Sequence, residues 1–190
     1  MSSQSRLRRL FSPKSVAVIG GGVWCRSVIE QLFKIGYKGK IFPVHPSKKE
    51  ILGLKYFKDL EEVPIQIDAS FVGVNRNITI EVIKKLNDLN AGGAVCFASG
   101  FLEAEDDKQG SGELQKSLIE AAGDMPILGP NCYGFINYLD RFCRYTQIFF
   151  VAENRNSPFF SPFFWFVPRV GFLRNLIRYT NFFLCLIGSL

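Results

Sequence analysis

The sequence predicts an α/β fold, a doubly wound parallel sheet with helices on both faces. Three observations carry this expectation. Short apolar, β-branched runs recur between residues 16 and 128, each suited to a strand buried on both faces. Stretches with helical apolar spacing separate them. Glycine, proline or asparagine marks most junctions between the two. Parallel neighbours need a crossover, so repeated β-α-β reads as a parallel sheet covered by helices.

The elements follow in order. Arg6, Arg8 and Arg9 are expected on the exposed face of a short lead-in helix whose Leu7 and Leu10 pack inward. Residues 16–20 (VAVIG) form the first strand, and Gly20-Gly21-Gly22 follows it. A helix over 24–35 carries Val28, Ile29, Leu32, Phe33 and Ile35 at helical spacing, and Gly36 stops it. IFPV (41–44) is a second strand, closed by Pro46. Residues 47–62 are polar and mixed, with one or two helical turns and a short YF segment. DASFVGV (68–74) is a third strand. Ile78 to Leu89 is a helix with Ile78, Val82, Ile83, Leu86 and Leu89 on one face and Asn77 as N-cap. GAVCFA (93–98) is a fourth strand, 103–113 an acidic surface loop, 113–122 a helix and PIL (126–128) a fifth strand. GPN (129–131) is turn chemistry.

Composition excludes several classes. With 190 residues, 47% apolar and 21% charged, the chain suits one ordinary domain plus a tail rather than wholesale disorder. Five cysteines without a C-x-x-C pair exclude a zinc ribbon and argue against a disulfide scaffold. One histidine excludes a His-rich metal site. No apolar leader is seen at the N-terminus, which points to a cytoplasmic location. Cys25 and Cys96 are expected to pack rather than react, as is Cys132, and the Glu103–Asp107 cluster to be a solvated loop rather than a metal site.

The net charge of +6 is uneven. Residues 1–140 hold 17 Lys and Arg against 16 Asp and Glu, whereas 141–190 hold six Arg against Glu153 alone. The last segment also carries 11 of the 19 Phe and no Lys, Asp or His. Its apolar run 159–168 is broken by Pro162 and Pro168 and 182–190 is short, so neither reaches the roughly 20 apolar residues of a membrane span. No ordered periodicity in it supports a nucleic-acid surface.

Ligands of such sheets bind beyond the carboxyl ends of the strands. Those ends read GGGVW, HPSKK, NRN, ASGF and GPNCYG, one continuous polar and glycine-bearing edge. The triple glycine lets backbone amides approach a phosphate, and the following helix adds its dipole. The G-x-G-x-x-G pattern is broken, because Cys25 stands where its last glycine belongs, and the P-loop pattern is absent. After the second strand, His45-Pro46-Ser47-Lys48-Lys49 replaces the acidic residue that would read the ribose of NAD. Cations there favour a ribose-linked phosphate, as in NADP or coenzyme A. The residues alone leave open an NADP-dependent oxidoreductase, a stand-alone coenzyme A-binding module, and a coenzyme A-dependent enzyme.

LFSPKSVAVIG, the glycine loop, IFPVHPSKKEILGLKYFKDLEEVP, SGFLEA and ILGPNCYGFIN occur in an order and spacing that resemble the coenzyme A-binding domain of NDP-forming acyl-CoA synthetases. That family includes ADP-forming acetate–CoA ligases and is related to the succinyl-CoA synthetase alpha chain. The resemblance covers residues 6–140 and implies a Rossmann-like domain with coenzyme A across the sheet edge. It implies that Gly20, Gly21, Gly22 and Val23 cradle phosphate or ribose. Pro43, His45, Lys48 and Lys49 would line the adenosine-phosphate side. Val74, Asn75 and Arg76 follow the third strand, with Asn75-Arg76 departing from the family's Val-Pro-Ala type loop. Ala98, Ser99 and Gly100 would meet the pantetheine arm, and Pro130 and Asn131 its thiol end. Trp24 and Arg26 replace smaller residues of the family's glycine loop.

The implied reaction converts acid, ATP and coenzyme A to acyl-CoA, ADP and phosphate through an acyl phosphate and a phosphohistidine. His45 does not match that histidine, so no catalytic residue and no metal ligand is expected here. ATP, ADP and magnesium would belong to an ATP-grasp domain or subunit, and this chain alone is expected to be inactive. The resemblance stops near Asp140, where composition changes, so 141–190 are expected to lie outside the fold as the product of a shifted reading frame.

Overall fold

The computed structural model describes residues 3–101 and 111–132, together with three short strands at 135–137, 147–149 and 185–187. Helix α1 (Ser3–Phe11) leads into β1 (Ser15–Ile19), α2 (Val23–Lys34) and β2 (Lys40–Val44). A small hairpin, β3 (Glu50–Ile51) and β4 (Leu54–Lys55), and a single 3-10 turn (Leu60–Glu62) come next. Then follow β5 (Ala69–Val72), α3 (Arg76–Asp88), β6 (Gly93–Cys96), α4 (Ser111–Ala122) and β7 (Ile127–Leu128). The last described elements are β8 (Phe135–Asn137), β9 (Gln147–Phe149) and β10 (Cys185–Ile187).

The main sheet has the order β2-β1-β5-β6-β7, and every pair in it is parallel. The chain moves from β1 to one edge, then returns to continue on the other side. The order therefore reverses between β1 and β5, and a crevice opens there beyond the strand ends. Alternate strand residues feed two cores. Ala17, Ile19 and Val72 join Ile83, Leu86, Leu118 and Ala122 of α3 and α4 on one face. Val16, Val18 and Phe71 join Leu10, Val28, Ile29 and Leu32 of α1 and α2 on the other. Both faces are dry, so the strands read as continuous apolar runs. Each fully buried aliphatic or Phe side chain contributes about 1.5–3 kcal/mol.

The lead-in helix departs from expectation. Leu10 is buried as foreseen, but of the three arginines only Arg8 is exposed. Arg6 is buried and donates to Asn87 Oδ1 at 2.6 Å and Asn90 Oδ1 at 3.1 Å. Arg9 donates to Asp68 Oδ1 and to the Ile67 carbonyl, both at 2.6 Å. The N–H of Lys14 donates to the second Asp68 oxygen at 2.8 Å. Helix α1 thus lies against the end of α3 and the start of β5, where polar groups need donors and a guanidinium supplies five.

Helix α3 is also shifted. Its N-cap is Asn75 rather than Asn77, with extended backbone and a side-chain oxygen that accepts the Ile78 N–H at 3.0 Å. The buried face is consequently Thr79, Ile83 and Leu86, while Ile78 and Leu89 are exposed. The stretch 47–62 holds the expected single helical turn at Leu60–Glu62 and, before it, a hairpin that was not expected, because Leu52 and Gly53 both take positive φ (50° and 79°), the geometry of a two-residue hairpin turn. Helix α4 starts two residues earlier than read. Most of the acidic 103–113 segment lies outside the described residues.

Of 141–190 only β9 and β10 are described. They flank β8 in a separate three-stranded sheet, β9 antiparallel and β10 parallel to it. Among the described residues no helix is long and apolar enough to cross a membrane.

Candidate functional site

The crevice between β1 and β5 is built on close backbone contacts. Gly20 follows β1 with φ +125° and donates its N–H to the Val44 carbonyl at 3.0 Å. A Cβ on Gly20 would stand 2.5 Å from the Gly73 carbonyl oxygen and 2.9 Å from Cys25 Sγ. On the other side, the Gly73 N–H donates to the Ile19 carbonyl at 2.8 Å. The loops after β1 and β5 therefore touch, and any side chain at Gly20 would push them apart.

The loop after β2 lies over the next residue. A Cβ on Gly21 would fall 2.6 Å from His45 Cδ2 and 2.7 Å from Lys48 Cε. The Lys48 ammonium donates to the Gly21 carbonyl. His45 Nδ1 accepts the backbone N–H groups of Ser47 and Lys48, each at 3.2 Å. These bonds assign the ring proton to Nε2, so His45 presents a donor edge beside Gly21.

Gly22 caps α2 with extended backbone and no side-chain hydrogen bond. The N-cap residue therefore sets no side-chain oxygen against the positive end of the α2 dipole. Val23 beside them is 79% exposed. Arg26 does not join this set, because it pairs with Glu30 at 2.9 Å one turn along the helix.

Cys25 sits beneath the glycine loop, with its thiol directed at the Ile19 carbonyl at 3.5 Å. Burial pushes the thiol from about 9 up to about 11, against the downward pull of the Gly22 backbone and the Lys48 charge. The sign for stability follows from proton binding. Above pH 9 the unfolded chain gives up this proton while the folded chain holds it, so stability falls as pH rises from about 9 to about 11. At pH 8 the folded Cys25 is a buried neutral thiol. Iodoacetamide at that pH is expected to leave the native Cys25 peptide unmodified and to label it fully in urea, as read by peptide mass spectrometry. Native labelling at the rate of an exposed thiol would contradict the buried placement.

The rest of the edge is pinned by cross-loop bonds. Arg76, the first residue of α3, donates from Nη1 to the Gly100 carbonyl at 2.8 Å. The Asn131 N–H donates to the Ala98 carbonyl at 2.8 Å, and the Cys132 N–H to the Cys96 carbonyl at 3.1 Å. Between these anchors Ser99 is exposed, and Phe101 is wholly buried. The Trp24 ring packs on Phe97 at 5.0 Å and Phe97 on Phe71 at 5.8 Å, an aromatic strut from the start of α2 to the end of β6.

The structure thus brings Gly20, Gly21, Gly22, Val23, His45 and Lys48 into one cluster. It sets Val74, Asn75, Arg76, Ala98, Ser99, Gly100, Pro130 and Asn131 along the adjoining edge. Pro43 stands apart. It is buried inside β2 opposite Val18, and its carbonyl accepts the Phe57 N–H at 2.9 Å. Lys49 is exposed and begins the hairpin, with its carbonyl accepting the Tyr56 N–H at 3.0 Å. Cys132, like Cys25 and Cys96, is buried. Tyr56 escaped the sequence reading. It lies ring-edge against His45 at 5.9 Å, and the signal for it was the apolar YF pair in a polar stretch.

A doubly wound sheet with a glycine loop, an uncapped helix and a lysine at its switch point defines a nucleotide-type binding domain. The chain belongs to the CoA binding domain family, whose model matches residues 14–138. It is similar to a trans-feruloyl-CoA synthase from an unknown prokaryotic organism, 33% identical over 160 residues, which are 82% of this chain and 22% of that protein. It is 35% identical over 137 residues to the ADP-forming acetate–CoA ligase II of Archaeoglobus fulgidus, 69% of this chain and 20% of that protein. Among solved structures it is similar to the apo form of dinucleotide forming acetyl-coenzyme A synthetase 1 of Ca. Korarchaeum cryptofilum, with a TM-score of 0.61 and 31% identity over 67% of this chain and 28% of that one. The chain spans about a fifth of the length of these two curated relatives.

Proposed function

We propose that this chain supplies the coenzyme A-binding part of an ADP-forming acyl-CoA synthetase, which converts acid, ATP and coenzyme A to acyl-CoA, ADP and phosphate. One observation carries the reading. The switch point is ringed by proton donors (Lys48, His45 Nε2 and the N-terminus of α2) around Gly21, over which the His45 and Lys48 side chains lie. A polyphosphate ligand complements such a ring.

In this reading the pyrophosphate lies on Gly20–Val23 and the α2 N-terminus, and the 3′-phosphate meets His45, Lys48 and Lys49. Val74, Asn75 and Arg76 border the crevice. The pantetheine arm runs past Ala98, Ser99 and Gly100, and its thiol ends near Pro130 and Asn131. Pro43 contributes only by setting the course of β2. Residues 1–140 form the binding unit, and 141–190 lie outside it. The phosphohistidine, ATP and magnesium belong to other parts of the enzyme, an ATP-grasp domain or subunit, in the cytoplasm. The relatives' much greater length supports that division.

Calorimetric titration of the full chain with coenzyme A, dephospho-coenzyme A and NADP tests the reading. Coenzyme A is expected to bind, and dephospho-coenzyme A more weakly. Binding of NADP without coenzyme A would replace the reading by an oxidoreductase. ATP-dependent thioester formation by this chain alone would overturn the division of labour.

A further inference from the structure

Tyr56 is 5% exposed, and its hydroxyl has no hydrogen-bond partner among the described residues. Buried hydroxyls are almost always paired, so this one calls for an explanation. Its position is fixed by backbone bonds between the end of β2 and the segment after β4. The Tyr56 N–H donates to the Lys49 carbonyl at 3.0 Å, the Phe57 N–H to the Pro43 carbonyl at 2.9 Å, and the His45 N–H to the Phe57 carbonyl at 2.9 Å. These bonds hold the Tyr56 ring edge-on to His45, the ring that lies against Gly21 at the mouth of α2.

Three side chains at this loop offer protons, and none of the three is a carboxylate. They are the Tyr56 hydroxyl, His45 Nε2–H and the Lys48 ammonium. Three side-chain donors complement an anion, and a phosphomonoester presents three terminal oxygens. Resting on the coenzyme A reading, we propose that the Tyr56 hydroxyl donates a hydrogen bond to the 3′-phosphate of coenzyme A, completing with His45 and Lys48 a three-donor pocket that reads this phosphate. Burial, reinforced by nearby Cys25, pushes the phenol up, so it stays a neutral donor at physiological pH. Lys48 moves on binding, exchanging the neutral Gly21 carbonyl for a dianion and lifting its stem from the loop.

The test is calorimetric titration of the full-length wild type and Tyr56→Phe with coenzyme A and with dephospho-coenzyme A. The variant keeps the ring and removes only the hydroxyl. Its affinity for coenzyme A is expected to fall about tenfold while that for dephospho-coenzyme A stays the same. Its melting temperature is expected to hold or rise, since an unpaired buried hydroxyl is removed. Unchanged coenzyme A affinity, or equal loss for both ligands, would overturn the proposal and leave the coenzyme A reading standing. A wild type that binds no coenzyme A would overturn both. A second measurement needs no variant. The Tyr56 ring resonances of the wild type are expected to shift with saturating coenzyme A and not with dephospho-coenzyme A, and identical shifts would again reject the assignment.

Discussion

Gly22→Asp is expected to stabilise the chain and weaken coenzyme A binding about a hundredfold. Gly22 has φ −82° and ψ 177°, which any residue adopts, and no atom lies within 4 Å of where its Cβ would stand. Aspartate at this N-cap accepts the orphan N–H groups of the first turn and meets the positive end of the helix. The gain is about 0.5–1 kcal/mol. The same carboxylate occupies the place proposed for the pyrophosphate. Two unit charges about 4 Å apart repel by about 1 kcal/mol in water and about 4 kcal/mol near a protein surface, so affinity is expected to drop about a hundredfold or more. Urea denaturation and calorimetry read the two effects separately. Gly22→Ser, which caps without charge, is expected to keep most of the stability gain with a smaller loss of affinity. Retained affinity in the aspartate variant would remove the α2 N-terminus from the site.

Gly20→Ala, two positions earlier, is expected to have the opposite effect on stability. Its φ of +125° is strained for any residue with a Cβ, and that Cβ would lie 2.5 Å from the Gly73 carbonyl oxygen. Strain and overpacking each cost about 1–3 kcal/mol, so a loss of about 4 kcal/mol is expected. That is a large share of the roughly 5–15 kcal/mol that holds a domain folded. Gly22→Ala is the control, expected to cost no more than about 1 kcal/mol. A Gly20→Ala urea midpoint close to that of the control would mean that the loops after β1 and β5 do not meet as described. The two glycines look alike in sequence, yet Gly20 lets the loops after β1 and β5 meet and Gly22 leaves its helix without a side-chain cap.

The coarse site was legible in sequence because its ingredients are local. Three glycines between an apolar strand and a helical repeat permit close approach of a phosphate, and the lysines after β2 carry their charge with them. The contacts of Tyr56 were not legible. Its neighbour His45 is 11 residues away, across a hairpin whose turn contains Leu52 at positive φ, a residue that gives no turn signal.

By itself, the sequence determined the parallel α/β class, the five main strands, the helices between them and the glycine-bearing strand ends proposed to bind. Apolar periodicity and turn residues encode these within ten or so neighbours. Tertiary structure alone decided that Arg6 and Arg9 face inward, since their partners Asn87, Asn90 and Asp68 lie 59 to 84 residues away. It decided that Asn75 rather than Asn77 caps α3, because the end of β5 sets where the helix can begin. It also buried Pro43 and left the Tyr56 hydroxyl without a partner among the described residues. The physical reason is the same in each case: local spacing says which side chains must be buried, but the partner of a polar group depends on which distant segment folds against it.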